Sequence, residues 1–120
     1  MDIQKLNDEK LFKAKIVHLI VNNKAEQALT MLSQQYHVST PKLKVGMPKG
    51  DTKHQGCYVA KNKTIYVANR DNLYNPYIIV HEFYHHLRTS GTIHRGAEKN
   101  ADKFAKDYIA TFYTYFGAPI

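Results

Sequence analysis

The chain has one cysteine, Cys57, among 120 residues. With no second thiol there is no intrachain disulfide. That excludes the small cystine-stapled folds and makes a reducing, cytoplasmic setting the expectation. Long apolar runs are also missing. The longest are Ile16–Val21, interrupted by His18, and Tyr77–Val80, whereas a membrane span needs roughly 20 apolar residues. The opening Met-Asp-Ile-Gln-Lys-Leu-Asn-Asp-Glu-Lys is too polar for a secretory leader. No repeat or low-complexity tract is visible. Acidic residues are few, 10 against 17 Lys and Arg, and the net charge is +7. A clustered excess of this sign would draw nucleic acid or acidic partners. The lysines are instead spread along the whole chain, so a solvated surface is the main expectation and nucleic acid the weaker one.

What is present suffices for one globular domain. Hydrophobic residues make up 43%, and a chain of this length buries about two thirds of its unfolded surface. Residues 1–36 read as helical. Leu11, Phe12, Ile16, Leu19 and Ile20 recur near a 3.6-residue period, and Ala25, Ala28, Leu29 and Leu32 do so again after a break at Asn22-Asn23. Residues 37–70 read as a small sheet. Residues 37–45 suggest an edge strand containing Pro41, and 46–56 a loop. Gly56–Ala60 and Thr64–Ala68 suggest a hairpin across Lys61-Asn62-Lys63. Asn75-Pro76 is a helix start, an N-cap candidate followed by proline at the first helical position. It predicts a helix over about 75–90, and a last helix is predicted over 97–116, closed by Gly117 and Pro119. The expected fold class is α+β, a small sheet packed on helices.

The chemistry concentrates in His81-Glu82-Phe83-Tyr84-His85, an H-E-x-x-H sequence inside a predicted helix. Residues i and i+4 lie about 40° apart on a helix and one turn along it, so both imidazoles project from one face and can share an ion. Glu82 is offset by one residue and reaches toward a water on the metal rather than the metal itself. A catalytic zinc usually takes three protein ligands and keeps one position open. Glu98, early in the last helix, is the best third ligand; His94, in the Gly91–Gly96 loop, is a rival. Asp102 lies one turn beyond Glu98 and can accept the free N–H of a ligating histidine, which fixes its tautomer. Ala101 is small enough to let the two helices approach. His86 points about 100° away from His85 and reads as a surface or outer-shell residue.

An isolated H-E-x-x-H arises by chance. Here it is helical, follows the apolar Tyr77–Val80 run and precedes Glu98-x-x-Ala101-Asp102. From Gly56 to Ile109 the chain resembles the gluzincin metallopeptidases, and more closely the minigluzincins and the small peptidase domains that cleave phage repressors. The resemblance rests on Gly56-x-Tyr58, Thr64–Val67, His81–His85 and Glu98-x-x-Ala101-Asp102-x-Phe104-Ala105. It implies a minimal zincin-like domain with one zinc ion on His81, His85 and Glu98, with Glu82 as general base and Asp102 behind the ligands. Arg88 and Gly91 stand where metzincins need glycine and histidine, which excludes that class.

The expected activity is peptide-bond hydrolysis in a peptide or protein substrate, by a zinc-activated water and a glutamate base. His54, His94, Tyr74 and Tyr108 are candidates for stabilising the oxyanion. The strand Thr64, Ile65, Tyr66, Val67 and Ala68 is the candidate for binding substrate as an added strand. By likeness to latent minigluzincins, the tail 111–120 is a candidate for covering the cleft. Cys57 could block zinc as a thiolate, although a small packed side chain is the plainer reading. The alternatives are a regulatory, DNA-associated peptidase of a mobile element acting on a repressor, and a non-catalytic zinc-binding domain. Residues 7–36 lack the tight glycine turn of a helix-turn-helix.

Overall fold

A computed structural model describes residues 2–90 and 97–117. The element order is α1 (Ile3–Val21), α2 (Ala25–Tyr36), β1 (Lys42–Val45), β2 (Gly56–Val59), β3 (Thr64–Val67), α3 (Pro76–Thr89) and α4 (Ala97–Phe116), with short 3-10 helices at Ala60–Asn62 and Arg70–Tyr74. The α+β layout expected from the sequence is what folds.

Asp2 caps α1, its side chain accepting from the backbone N–H groups of Gln4 and Lys5, which satisfies two donors a helix start leaves orphaned. The helix stops at Asn23, which takes a left-handed φ of 64°. Lys24 N then donates back to Leu19 O at 2.8 Å, a closing bond of the Schellman type. The chain therefore turns into a separate α2, and the two helices form a hairpin. Ile16, Val17 and Ile20 of α1 and Leu29 and Leu32 of α2 are buried in the common core.

The sheet has three strands in the order β1-β3-β2. β1 runs parallel to β3, with Leu43 opposite Ile65 and Val45 opposite Val67. β2 runs antiparallel, with Cys57 opposite Tyr66 and Tyr58 opposite Ile65. The hairpin between β2 and β3 turns through the 3-10 helix, and Lys63 supplies the left-handed residue, with a φ of 52°. Ile65 and Val67 are wholly buried. Their face meets α3, the helix that carries His81-Glu82-x-x-His85.

Asn75 caps α3, accepting from Tyr77 N and Ile78 N, and Pro76 opens the helix. The helix is buried on most of its circumference, through Ile79, Val80, Phe83, Tyr84 and Leu87 among others, as suits a helix with the sheet on one side and α1 and α4 on the other. α4 packs against it through Ala101 and Ala105, both without exposed surface; side chains this small let the axes close up.

α4 runs on to Phe116 and ends at Gly117, whose φ is 86°. Tyr115 Oη donates to Asn7 O at 3.3 Å, and Phe116 stacks on His18 with ring centroids 5.4 Å apart. Residues 111–117 thus lie against α1, roughly 20–28 Å down the helix from Glu98, and do not cover the cleft. The rest of the expected covering tail, residues 118–120, is outside the described residues.

Candidate metal centre

Helix periodicity puts His81 and His85 on the rim of α3 that faces the start of α4. His85 Nε2 lies 2.9 Å from Glu98 Oε1, and His81 Nε2 lies 3.3 Å from Glu98 Oε2. On the other side of the His81 ring, Nδ1 is 3.3 Å from Asp102 Oδ1. His81, His85 and Glu98 offer ligand atoms all within 4.8 Å of one another. The arrangement suits a cation for two reasons. With zinc bonds of about 2.0–2.1 Å, neighbouring ligands of a tetrahedron sit about 3.3 Å apart, close to the two His–Glu98 separations of 3.3 and 2.9 Å. And Asp102 draws the His81 proton to Nδ1, so the lone pair of Nε2 points at a carboxylate oxygen. Two acceptors aimed at each other repel unless positive charge lies between them.

Burial pushes the His81 pKa down, and the neighbouring His85 pushes the same way, against the pull of Glu98 and Asp102. Both effects favour the neutral, ligating form. Glu82 lines the same cleft. Its carboxyl is raised to about 7, first by burial and then by the charge of Glu98, with His54 opposing. A carboxyl held in that range can exchange protons near neutral pH.

The cleft, of about 570 Å³, lies between β2 and the helices α3 and α4; Gly56, Cys57 and Tyr58 form one wall, and His81, Glu82 and Glu98 the other. The walls touch at Gly56. A Cβ added there would stand 2.5 Å from Ile78 Cγ2 and 3.7 Å from Glu82 Cγ, so only glycine lets the strand come this close.

The four oxyanion candidates separate. His54 lines the cleft, and its Nδ1 lies 3.1 Å from Asp51 Oδ1. Asp51 also accepts from the backbone of Lys53 and His54, which fixes the loop. Tyr108 is buried in the core, hydroxyl to hydroxyl with Tyr36 at 2.6 Å. Tyr74 closes the second 3-10 helix and is not among the cleft-lining residues. His94, as ligand or as oxyanion donor, is outside the described residues.

Two expectations are corrected. The strand Thr64, Ile65, Tyr66, Val67 and Ala68 cannot take up a substrate strand, because β3 is central and paired on both edges. The free edge beside the cleft is β2. Gln55 O accepts from Ala68 N at 2.9 Å. That register assigns Gln55, Cys57 and Val59 to the ladder with β3 and turns the N–H and C=O of Gly56 and Tyr58 outward. His86, expected at the surface or just behind the ligands, has no exposed area. It lies between Tyr58 Oη, 2.8 Å from Nδ1, and Ser39 O, 2.6 Å from Nε2. Cys57 is half-buried and outside the ligand group; burial above all, then Asp51 and Glu82, raises its thiol pKa and opposes a thiolate.

Tyr77 was missed by sequence reasoning. One turn before His81, it packs edge-on against that ring at 5.4 Å and donates its hydroxyl to Asp102 Oδ1. The accepting carboxylate raises the phenol to about 12. The i, i+4 spacing from Tyr77 to His81 was the signal available.

Comparison with protein-family models, curated proteins and solved structures gave no match. No described helix is long and apolar enough to cross a membrane.

Proposed function

We propose that the chain is a zinc-dependent metallopeptidase of the gluzincin type, with His81, His85 and Glu98 as ligands and Glu82 as general base. The observation that carries the reading is the convergence of both imidazole Nε2 atoms on the Glu98 carboxylate, with a second, half-buried carboxyl, Glu82, in the same cleft. Zinc bound there would supply a Lewis acid for the scissile carbonyl and bring the pKa of water toward about 7.

The chain's own residues would do the rest. Glu82 removes a proton from the attacking water and returns it to the leaving amine. His54 lines the cleft, held through Nδ1 by Asp51, and with a proton on both ring nitrogens it would donate Nε2–H to the developing oxyanion. The outward N–H and C=O groups of Gly56 and Tyr58 hold an extended peptide as an added strand on β2. A purely structural zinc site has no use for a carboxyl at position 82, and this separates the peptidase from a non-catalytic zinc domain.

The test is metal content by mass spectrometry alongside cleavage of an unfolded protein. The wild-type chain should carry one zinc and cleave. Glu82→Gln should keep the zinc and lose at least about 100-fold in rate. His85→Ala should lose the metal. Wild-type cleavage by the Glu82→Gln protein would overturn the assignment, as would a wild-type chain that takes up no zinc.

A further inference from the structure

We infer that Tyr77 is a positioning residue of the metal centre, acting through Asp102 to hold His81 in its ligating orientation. The inference rests on the metal-centre reading above and extends it by one residue that is neither a ligand nor in contact with one through a polar atom.

Asp102 needs an anchor. It sits on α4, its side chain is 43% exposed, and an aspartate at a helix surface turns freely between rotamers. Left alone it would spend much of its time in water, and Nδ1 of His81 would lose the acceptor that selects its tautomer. Tyr77 prevents this from the opposite helix. Its hydroxyl donates to Oδ1 of Asp102, the same oxygen that faces His81 Nδ1 at 3.3 Å. Tyr77 and His81 are one turn apart on α3, and their rings meet edge to face, with an interplanar angle of 64°. The phenol therefore fixes the carboxylate through its hydroxyl and the imidazole plane through its ring. Partners behind a metal's ligands set tautomer and ring orientation, and removing one typically weakens metal binding about 10–100-fold. A residue acting one step further back should cost less, and only while the intermediate carboxylate is present.

The experiment is a double-mutant cycle read as zinc affinity, by chelator competition on the full chain. Tyr77→Phe should weaken zinc binding about 3–10-fold, and Asp102→Asn about 10–100-fold. In the Asp102→Asn background, Tyr77→Phe should change the affinity less than about twofold. The visible absorption of the cobalt-loaded protein should differ between wild type and Tyr77→Phe but not between Asp102→Asn and the double variant. Tyr77→Leu, which removes the ring as well, should bind zinc more weakly than Tyr77→Phe. Equal affinity in wild type and Tyr77→Phe would overturn the inference, as would the same loss in both backgrounds. These results leave the zinc site itself standing, whereas a wild-type chain that binds no zinc removes the site and the inference together.

Discussion

At the scale of single residues, the polar groups inside the core decide more than their number suggests. His86 is wholly buried and ties α3 to two other segments. Ser39 O can only accept, so Nε2 of His86 carries the proton, and Nδ1 accepts from the Tyr58 hydroxyl. Burial depresses its pKa first, and Lys63 adds to this against the bond to Ser39. His86→Ala would strand the Ser39 carbonyl and leave a cavity. The expected cost is about 2–4 kcal/mol in urea unfolding, with zinc stoichiometry of the folded fraction unchanged. The Tyr36–Tyr108 pair offers a second prediction. Burial raises the pKa of both phenols, and Tyr36 also raises that of Tyr108. With folded values above the unfolded value near 10, the unfolded chain releases its protons first. Stability from this pair is thus complete below about pH 10 and is lost as pH rises further, by up to about 1.4 kcal/mol per pH unit for each proton. Replacing both tyrosines with phenylalanine should cost little at pH 7 and flatten that alkaline decline. Urea midpoints for the two proteins between pH 7 and 11 measure the difference, and parallel curves would contradict the assignment.

At the scale of elements, the close approach of β2 to α3 is what makes a cleft. Gly56→Ala would set a methyl against Ile78 Cγ2, on a β-branched side chain with little freedom to move. The strand must shift, at a cost of about 1–3 kcal/mol, and the peptide cleavage proposed above should then show a higher KM. Ile78→Ala in the same chain should recover part of the loss, so the double variant is more stable than the sum of the singles predicts. This contact also marks where the sequence stops being legible. Helices α3 and α4 were readable because their signals are local, with Asn75-Pro76 at one start and Gly117 at the other end. The trio His81, Glu82 and His85 was readable because spacing within a helix is fixed. Glu98 and Asp102 could be named because they share a face one turn apart. The pairing of strands is not local. β2 and β3 read only as two β-rich runs of a hairpin, and nothing within either run says that β1 returns to lie parallel to β3 and close its other edge. The candidate substrate strand therefore falls on the member of the hairpin whose two edges are both paired. His86 was misplaced for a related reason: helical phase gives its angle from His85, but not that Tyr58 and Ser39 wait in that direction.

At the scale of the whole molecule, an ion on His81, His85 and Glu98 would double as a clasp. His81 and His85 belong to α3, while Glu98 belongs to the first turn of α4 and its side chain is 78% exposed. Without a cation, so exposed a carboxylate beside two imidazoles contributes little. A bound ion adds to the ties between two helices that already meet through the Tyr77–Asp102 hydrogen bond and through buried side chains further along, around Ala101, Ala105 and Tyr108. Any ligand that binds only the folded chain stabilises it, by about 2.7 kcal/mol at a free concentration 100 times its Kd. For a domain of this size that corresponds to roughly 10 °C in Tm. Unfolded chains compete for the ion through Cys57 and the seven histidines, so the observed rise should be somewhat smaller. Zinc titrated into the chelated protein should therefore raise Tm by several degrees and saturate at one equivalent. Glu82→Gln should show the same rise, since Glu82 is no ligand in this arrangement. Glu98→Ala and His85→Ala should show almost none. Glu98→Ala is the sharper control, because its side chain is exposed and its removal costs the metal-free fold little. If Glu98→Ala kept the full zinc-dependent shift, the ion would be held elsewhere, and the bridge between α3 and α4 would have to be abandoned.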